Sequence, residues 1–103
     1  MKMVGKIAET ILQQLGGNRF IVMTGAKNFM DLGDGLSFKF PKAMKKINYV
    51  KIKLNYLDLY NITFGRITKG IDWKLKIIKR VNDIYADQLQ DIFTKYTGLY
   101  TSL

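Results

Sequence analysis

The sequence predicts an α+β domain of two layers, an antiparallel sheet of about five strands flanked by an N-terminal and a C-terminal helix in the order α-β-β-β-β-β-α. Three observations predict it. Apolar and polar residues alternate singly through much of Lys39 to Val81, apolar residues recur every three or four positions near both ends, and glycine-bearing breaks separate the runs. Single alternation sends side chains to opposite faces of a strand, whereas spacings of three and four gather them on one stripe of a helix.

The N-terminal helix is expected from about Lys2 to Leu15, with Val4, Ile7, Ala8, Ile11, Leu12 and Leu15 as its apolar stripe. Gly16 and Gly17 stop it, because glycine reaches the left-handed conformation that closes a helix C-terminus. Within Arg19 to Thr24, the run Phe20-Ile21-Val22-Met23 is short and apolar on both parities, which fits a strand covered on both sides or an ambiguous edge. Gly25 breaks it. Ala26 to Leu32 and Leu36 to Phe40 then pair through Gly33-Asp34-Gly35, and Pro41 ends the second strand because it has no N–H for a ladder. Lys42 to Lys46 packs three lysines into five residues and reads as a solvated turn.

From Ile47 to Leu54, Val50, Ile52 and Leu54 fall on one face and Tyr49, Lys51 and Lys53 on the other. Tyr60, Ile62 and Phe64 extend the dry face, with Asn61 and Thr63 opposite. In the last run Trp73, Leu75 and Ile77 are expected on the dry face and Lys74, Lys76, Ile78 and Arg80 on the wet one. Asn55 to Asp58 and Lys69 to Asp72 supply the turns. Asn82 or Asp83 is suited to cap a final helix whose stripe is Tyr85, Leu89, Ile92, Phe93 and Tyr96, and Gly98 ends it. One covered face and one solvated face is the common state of an antiparallel sheet.

A length of 103 residues, 48% of them hydrophobic and 13% aromatic, suits one domain with one core, so residues 1–103 are expected to fold as a unit. No apolar run approaches the roughly 18 residues of a membrane span. Glu9, Gln13 and Gln14 interrupt the first segment, so no membrane association and a cytoplasmic location are expected. Cysteine and histidine are absent, which removes disulfides, Cys-His nucleophiles, the usual zinc ligands and the usual general base near neutral pH.

No metal and no cofactor are expected. Asp31 and Asp34 flank Gly33, but the closing glutamate of a calcium loop is missing, as is the lysine of a phosphate-cradling loop. Thr24, Lys27 and Asn28 stand together near Gly25 without the third partner or oxyanion hole that a nucleophile needs. The chain therefore reads as non-catalytic.

The net charge of +9 is unevenly placed. Residues 1–38 carry four Lys/Arg against three Asp/Glu, residues 39–80 twelve against two, and residues 81–103 one against three. Basic excess on a sheet segment points to polyanionic partners, either nucleic acid or an acidic protein surface. The candidate contact residues are Lys39, Lys51, Lys53, Lys74, Lys76 and Arg80, with Tyr49 among them. Lysines neutralise phosphates and an aromatic ring stacks on bases, the two interactions behind sequence-tolerant single-strand binding. Base-reading sheets commonly offer two or three aromatic rings, and here only one is placed, so a merely solvated lysine face accounts for the same pattern. An edge strand such as Ala26 to Leu32 offers a place for a second copy, though no residue requires one.

Several stretches carry a resemblance. They are Ile7-Ala8-Glu9-Thr10-Ile11-Leu12 with Gln14 to Phe20, Met23-Thr24-Gly25-Ala26-Lys27-Asn28-Phe29, Ile47 to Ile52, Tyr85-Ala86-Asp87 and Thr97 to Leu103. In these the chain resembles a family of short, functionally uncharacterised proteins found in bacteriophage and prophage genomes. The resemblance implies a small accessory protein acting inside an infected bacterium, and it transfers no activity. Two functions are compatible with it: binding nucleic acid through the basic sheet face, or docking as an inhibitor on an acidic host protein or defence complex, in the manner of anti-CRISPR proteins.

Overall fold

Residues 6–41, 47–68 and 74–99 are described by a computed structural model. In chain order the elements are α1 (Lys6–Leu15), α2 (Asn18–Thr24), β1 (Lys27–Asp31), β2 (Gly35–Lys39), β3 (Tyr49–Leu54), β4 (Tyr60–Thr68), β5 (Lys74–Ile84), a 3₁₀ turn (Ala86–Gln88) and α3 (Leu89–Thr97). The strands form one antiparallel sheet in the order β1-β2-β3-β4-β5, each paired with its neighbour in sequence. The α+β class, the five-stranded sheet and the helices towards both ends agree with the sequence reading.

In α1, Ala8, Ile11, Leu12 and Leu15 are buried as the three-and-four spacing requires. The chain leaves it through Gly17, whose φ of 61° lets its N–H reach back to the Leu12 carbonyl at 2.9 Å. Arg19 to Thr24 is a helix rather than the expected strand. Phe20 and Thr24, one turn apart, face the core, while Val22 is 81% exposed. A run of four apolar residues carries no period of its own. Here Gly17 and Gly25, both at positive φ, bracket a length suited to two helical turns. The Thr24 hydroxyl donates to the Phe20 carbonyl and accepts from the Ala26 N–H, so it closes the helix.

One face of the sheet is dry. Leu36, Phe38, Val50, Ile52, Tyr60, Ile62 and Phe64 are buried on it, beneath the helices. Phe38 lies 5.3 Å from Phe20 and 6.2 Å from Phe93, so rings from α2, β2 and α3 meet at one point. The final helix begins later than expected, because β5 continues through Asn82 and Asp83 to Ile84. The Gln88 side chain accepts from the Tyr85 N–H where the 3₁₀ turn begins. Leu89, Phe93 and Thr97 are buried and Ile92 and Tyr96 pack partly, while Tyr85, expected in the stripe, is 61% exposed.

The hairpin through Gly33 is as expected, with Asp31 accepting from the Gly33 N–H at 2.8 Å and Asp34 reaching Lys53 at 3.5 Å. The turn after β3 is held by Asn55, whose side-chain oxygen accepts from Leu57 and Leu59. The expected turns at Lys42 to Lys46 and Lys69 to Asp72, and the residues Val4, Trp73 and Tyr100, lie outside the described residues.

In β5 the expected phase is inverted over its first half. Phe64 pairs with Lys79 but Gly65 pairs with Ile77, so Ile78 is an extra residue in β5, a β-bulge. A one-residue insertion exchanges the faces of everything before it. Leu75 and Ile77 therefore align with Ile67 and Gly65 on the wet side, and Lys76 and Lys74 align with Arg66 and Thr68 on the helix side. A β-carbon built on Gly65 would lie 2.9 Å from the Leu75 side chain and 3.7 Å from the Tyr49 ring, which places both on the wet side. Arg80, paired with Thr63 beyond the bulge, keeps its expected face.

Two stability measurements test this packing. Phe38→Ala should cost about 3–5 kcal/mol in urea unfolding, because the ring is fully buried. Gly35→Ala should cost about 1–3 kcal/mol, since the new β-carbon would meet the Ile52 carbonyl on β3. Burial raises the Tyr60 phenol above its ordinary value of 10.0, with the Gln14 side chain partly offsetting the rise. A folded-state pKa above the unfolded one keeps its stabilisation below pH 10 and loses it as pH climbs through the folded value. Tyr60→Phe should therefore lose less stability than the parent between neutral pH and the alkaline range, a difference that paired urea melts will read.

Candidate functional site

The pleat sorts the wet face into rows. One row crosses all five strands as Lys27, Lys39, Tyr49, Gly65 and Ile77, and the next as Met30, Ser37, Lys51, Thr63 and Arg80. A third, shorter row holds Gly35, Lys53 and Asn61. Strands lie about 4.8 Å apart and rows about 6.6 Å apart, so neighbouring cations sit on a grid of roughly 5–10 Å. Lys39, Lys51 and Lys53 are half-buried, consistent with apolar stems lying along the sheet and charged ends in solvent.

Of the seven residues picked from the sequence, Lys39, Tyr49, Lys51, Lys53 and Arg80 share this face. Lys74 and Lys76 do not, for they stand on the helix side of β5, in line with Arg66 and Thr68. Lys27 joins the site and was not picked. It lies directly across from Lys39, but the pairing of β1 with β2 is irregular between Lys27 and Met30, with Asn28 at a φ of 55°. Simple alternation along β1 could not place it.

Charge is divided between the layers. The two five-strand rows carry Lys27, Lys39, Lys51 and Arg80 and no carboxylate. The described helices and the 3₁₀ turn carry Lys6, Arg19 and Lys95 against Glu9, Asp87 and Asp91, which cancel. Lys53 is the exception on the wet face, since Asp34 lies 3.5 Å away in an exposed pair. Such a pair contributes about 0–1 kcal/mol to stability but lowers the local positive potential.

At one end of the face an open cleft of about 220 Å³ is lined by Lys27, Asn28, Lys39 and Asn48 among others. Asn48 shapes its floor. Its amide donates to the Ile67 carbonyl at 3.0 Å and accepts from the Ile67 N–H at 2.7 Å, extending the β3–β4 ladder past the end of β3. Both functional ends of Asn48 are thus engaged, and Lys27, Asn28 and Lys39 are the other polar side chains that line the cleft.

The Thr24 hydroxyl is buried and hydrogen-bonded within the chain, so it is not presented beside Lys27 and Asn28 as a nucleophile would be. Among the described residues no three acidic side chains gather into a group suited to a metal ion. No described helix is long and apolar enough to cross a membrane.

Comparison with protein-family models, with curated proteins and with solved structures found no match. The fold and the charge define a class, a five-stranded antiparallel meander with helices on one face and a cationic open face.

Asn48→Ala should cost about 1–3 kcal/mol, the sum of two part-buried hydrogen bonds. The Ile67 amide should lose protection in hydrogen exchange while the Ile52 amide, in the middle of β3, keeps its rate.

Proposed function

We propose that this protein is a non-catalytic accessory protein that binds nucleic acid through its backbone on the open face of the sheet. The observation that carries the reading is the pair of rows crossing all five strands with four cations, one tyrosine and no carboxylate. Each lysine or arginine that meets a phosphate releases a condensed counterion, which makes binding favourable and salt-dependent without base recognition. Tyr49, central in its row and beside Gly65, provides a ring on which one base can stack. The resemblance to phage proteins supports the setting, the interior of an infected bacterium.

Fluorescence anisotropy with labelled DNA and RNA, single-stranded and duplex, at two salt concentrations tests it. Each contact should add about 0.7 to the slope of log affinity against log salt on single strands, or about 0.9 on duplex. Lys51→Gln should remove one such increment. Lys53→Gln should remove less, because Asp34 already lies beside that ammonium. Lys74→Glu should change little, since it stands on the other face. Absence of binding at low salt, or binding indifferent to Lys51→Glu combined with Arg80→Glu, overturns the reading. A stoichiometric acidic protein captured from nuclease-treated lysate in place of nucleic acid would assign the face to a protein partner instead.

A further inference from the structure

An open meander has two edges, and they differ. β1 is short, with five residues, and its pairing is irregular at Asn28. β5 has eleven residues and among the described residues pairs only with β4, and every residue from Lys74 to Arg80 is exposed. Leu75, Ile77 and Ile78 are 47%, 38% and 40% exposed, which sets an apolar strip along a free strand.

The direction of the backbone groups follows from the ladder. Ile67 uses both its N–H and its carbonyl on Asn48, towards β3. In an antiparallel ladder both groups of a residue point the same way and successive residues alternate, so Arg66 and Thr68 turn theirs towards β5. Their partners Lys76 and Lys74 close those bonds. Leu75 and Ile77 then aim their N–H and carbonyl groups outward, along the free edge.

We propose that this edge accepts an extended, acidic segment of a partner protein as a sixth strand. The side chains state its pattern. Residues opposite Leu75 and Ile77 would lie on the wet face against apolar groups, and residues opposite Lys74 and Lys76 on the other face against two ammonium groups. A strand alternating apolar and acidic residues satisfies both, with main-chain hydrogen bonds supplying affinity and alternate side chains supplying specificity. A second copy does not satisfy them. Pairing Leu75 with the Ile77 of another copy sets Lys76 against Lys76, and pairing Leu75 with Leu75 sets Lys74 against Lys76, all on the helix side. Like charges directly opposite one another on a sheet are destabilising. The lysines that guard this edge against self-association therefore admit acidic strands selectively.

The test uses a short labelled peptide alternating glutamate and valine, with a blocked sequence of the same composition as control, in fluorescence anisotropy with the full chain. No nucleic acid is present, so the outcome is independent of the open-face reading. The alternating peptide should bind and the blocked one should not. Ile77→Pro removes an N–H that points away from the sheet, a position where an edge strand tolerates proline. It should leave the thermal melt close to the parent's and weaken the peptide by at least about tenfold. Lys74→Glu combined with Lys76→Glu should transfer binding to a peptide alternating lysine and valine, which a merely structural role for these lysines would not do. Equal binding of alternating and blocked peptides, or full affinity in a folded Ile77→Pro variant, overturns the proposal. So does a dimer in sedimentation that Ile77→Pro abolishes, since the edge would then belong to a second copy.

Discussion

Phe38 is the residue on which the two layers are joined. Its ring lies within 5.3 Å of Phe20, 5.4 Å of Phe29, 6.2 Å of Phe40 and 6.2 Å of Phe93, bringing α2, β1, β2 and α3 to one contact. Tilted and edge-to-face rings of this kind contribute beyond their buried area, and they resist sliding because each ring has few alternative positions. The helices are thereby held to one side of the sheet. The other side is bare because no element remains to cover it among the described residues.

From that asymmetry the electrostatics follow. Lysines can occupy the centre of β3 only if the alternate face is solvated, since an unpaired buried ammonium costs several kcal/mol. Lys51 and Lys53 therefore depend on Ile52 and Leu54 pointing the other way. The meander topology adds a second consequence. Every strand pairs with its neighbours in sequence, so β1 and β5 become edges, and the register irregularities, with the left-handed residues Asn28 and Asp83, fall on those two strands. The second irregularity in β5, beside Asp83 at a φ of 59°, is tied down by Asn55 and Asn61, which links the β3–β4 turn to the last strand before α3.

The open face and the β5 edge meet at Leu75, Ile77 and Arg80. The face offers cations at a spacing suited to a flexible polyanion. The edge offers directional backbone groups and apolar side chains, which a polyanion does not use and an extended peptide does. The two surfaces therefore select different chemistries while sharing one strand, and occupation of the edge would cover part of the row of Lys39 and Tyr49 at Ile77.

The sequence by itself determined the class of fold, the dry faces of β2, β3 and β4, and the presence of Lys39, Tyr49, Lys51 and Lys53 on one solvated surface. Alternation over five or more residues records which side of a strand is buried, and those strands contain no insertion. Tertiary structure decided the rest. Whether Phe20 to Met23 became helix or strand depended on Phe20 reaching Phe38 and Phe93, a contact that four apolar residues in a row do not encode. Lys74, Lys76, Leu75 and Ile77 changed sides because one extra residue, Ile78, was accommodated opposite the step from Phe64 to Gly65. A bulge is visible only in the pairing of two strands, so neither strand read alone contains the information that places them.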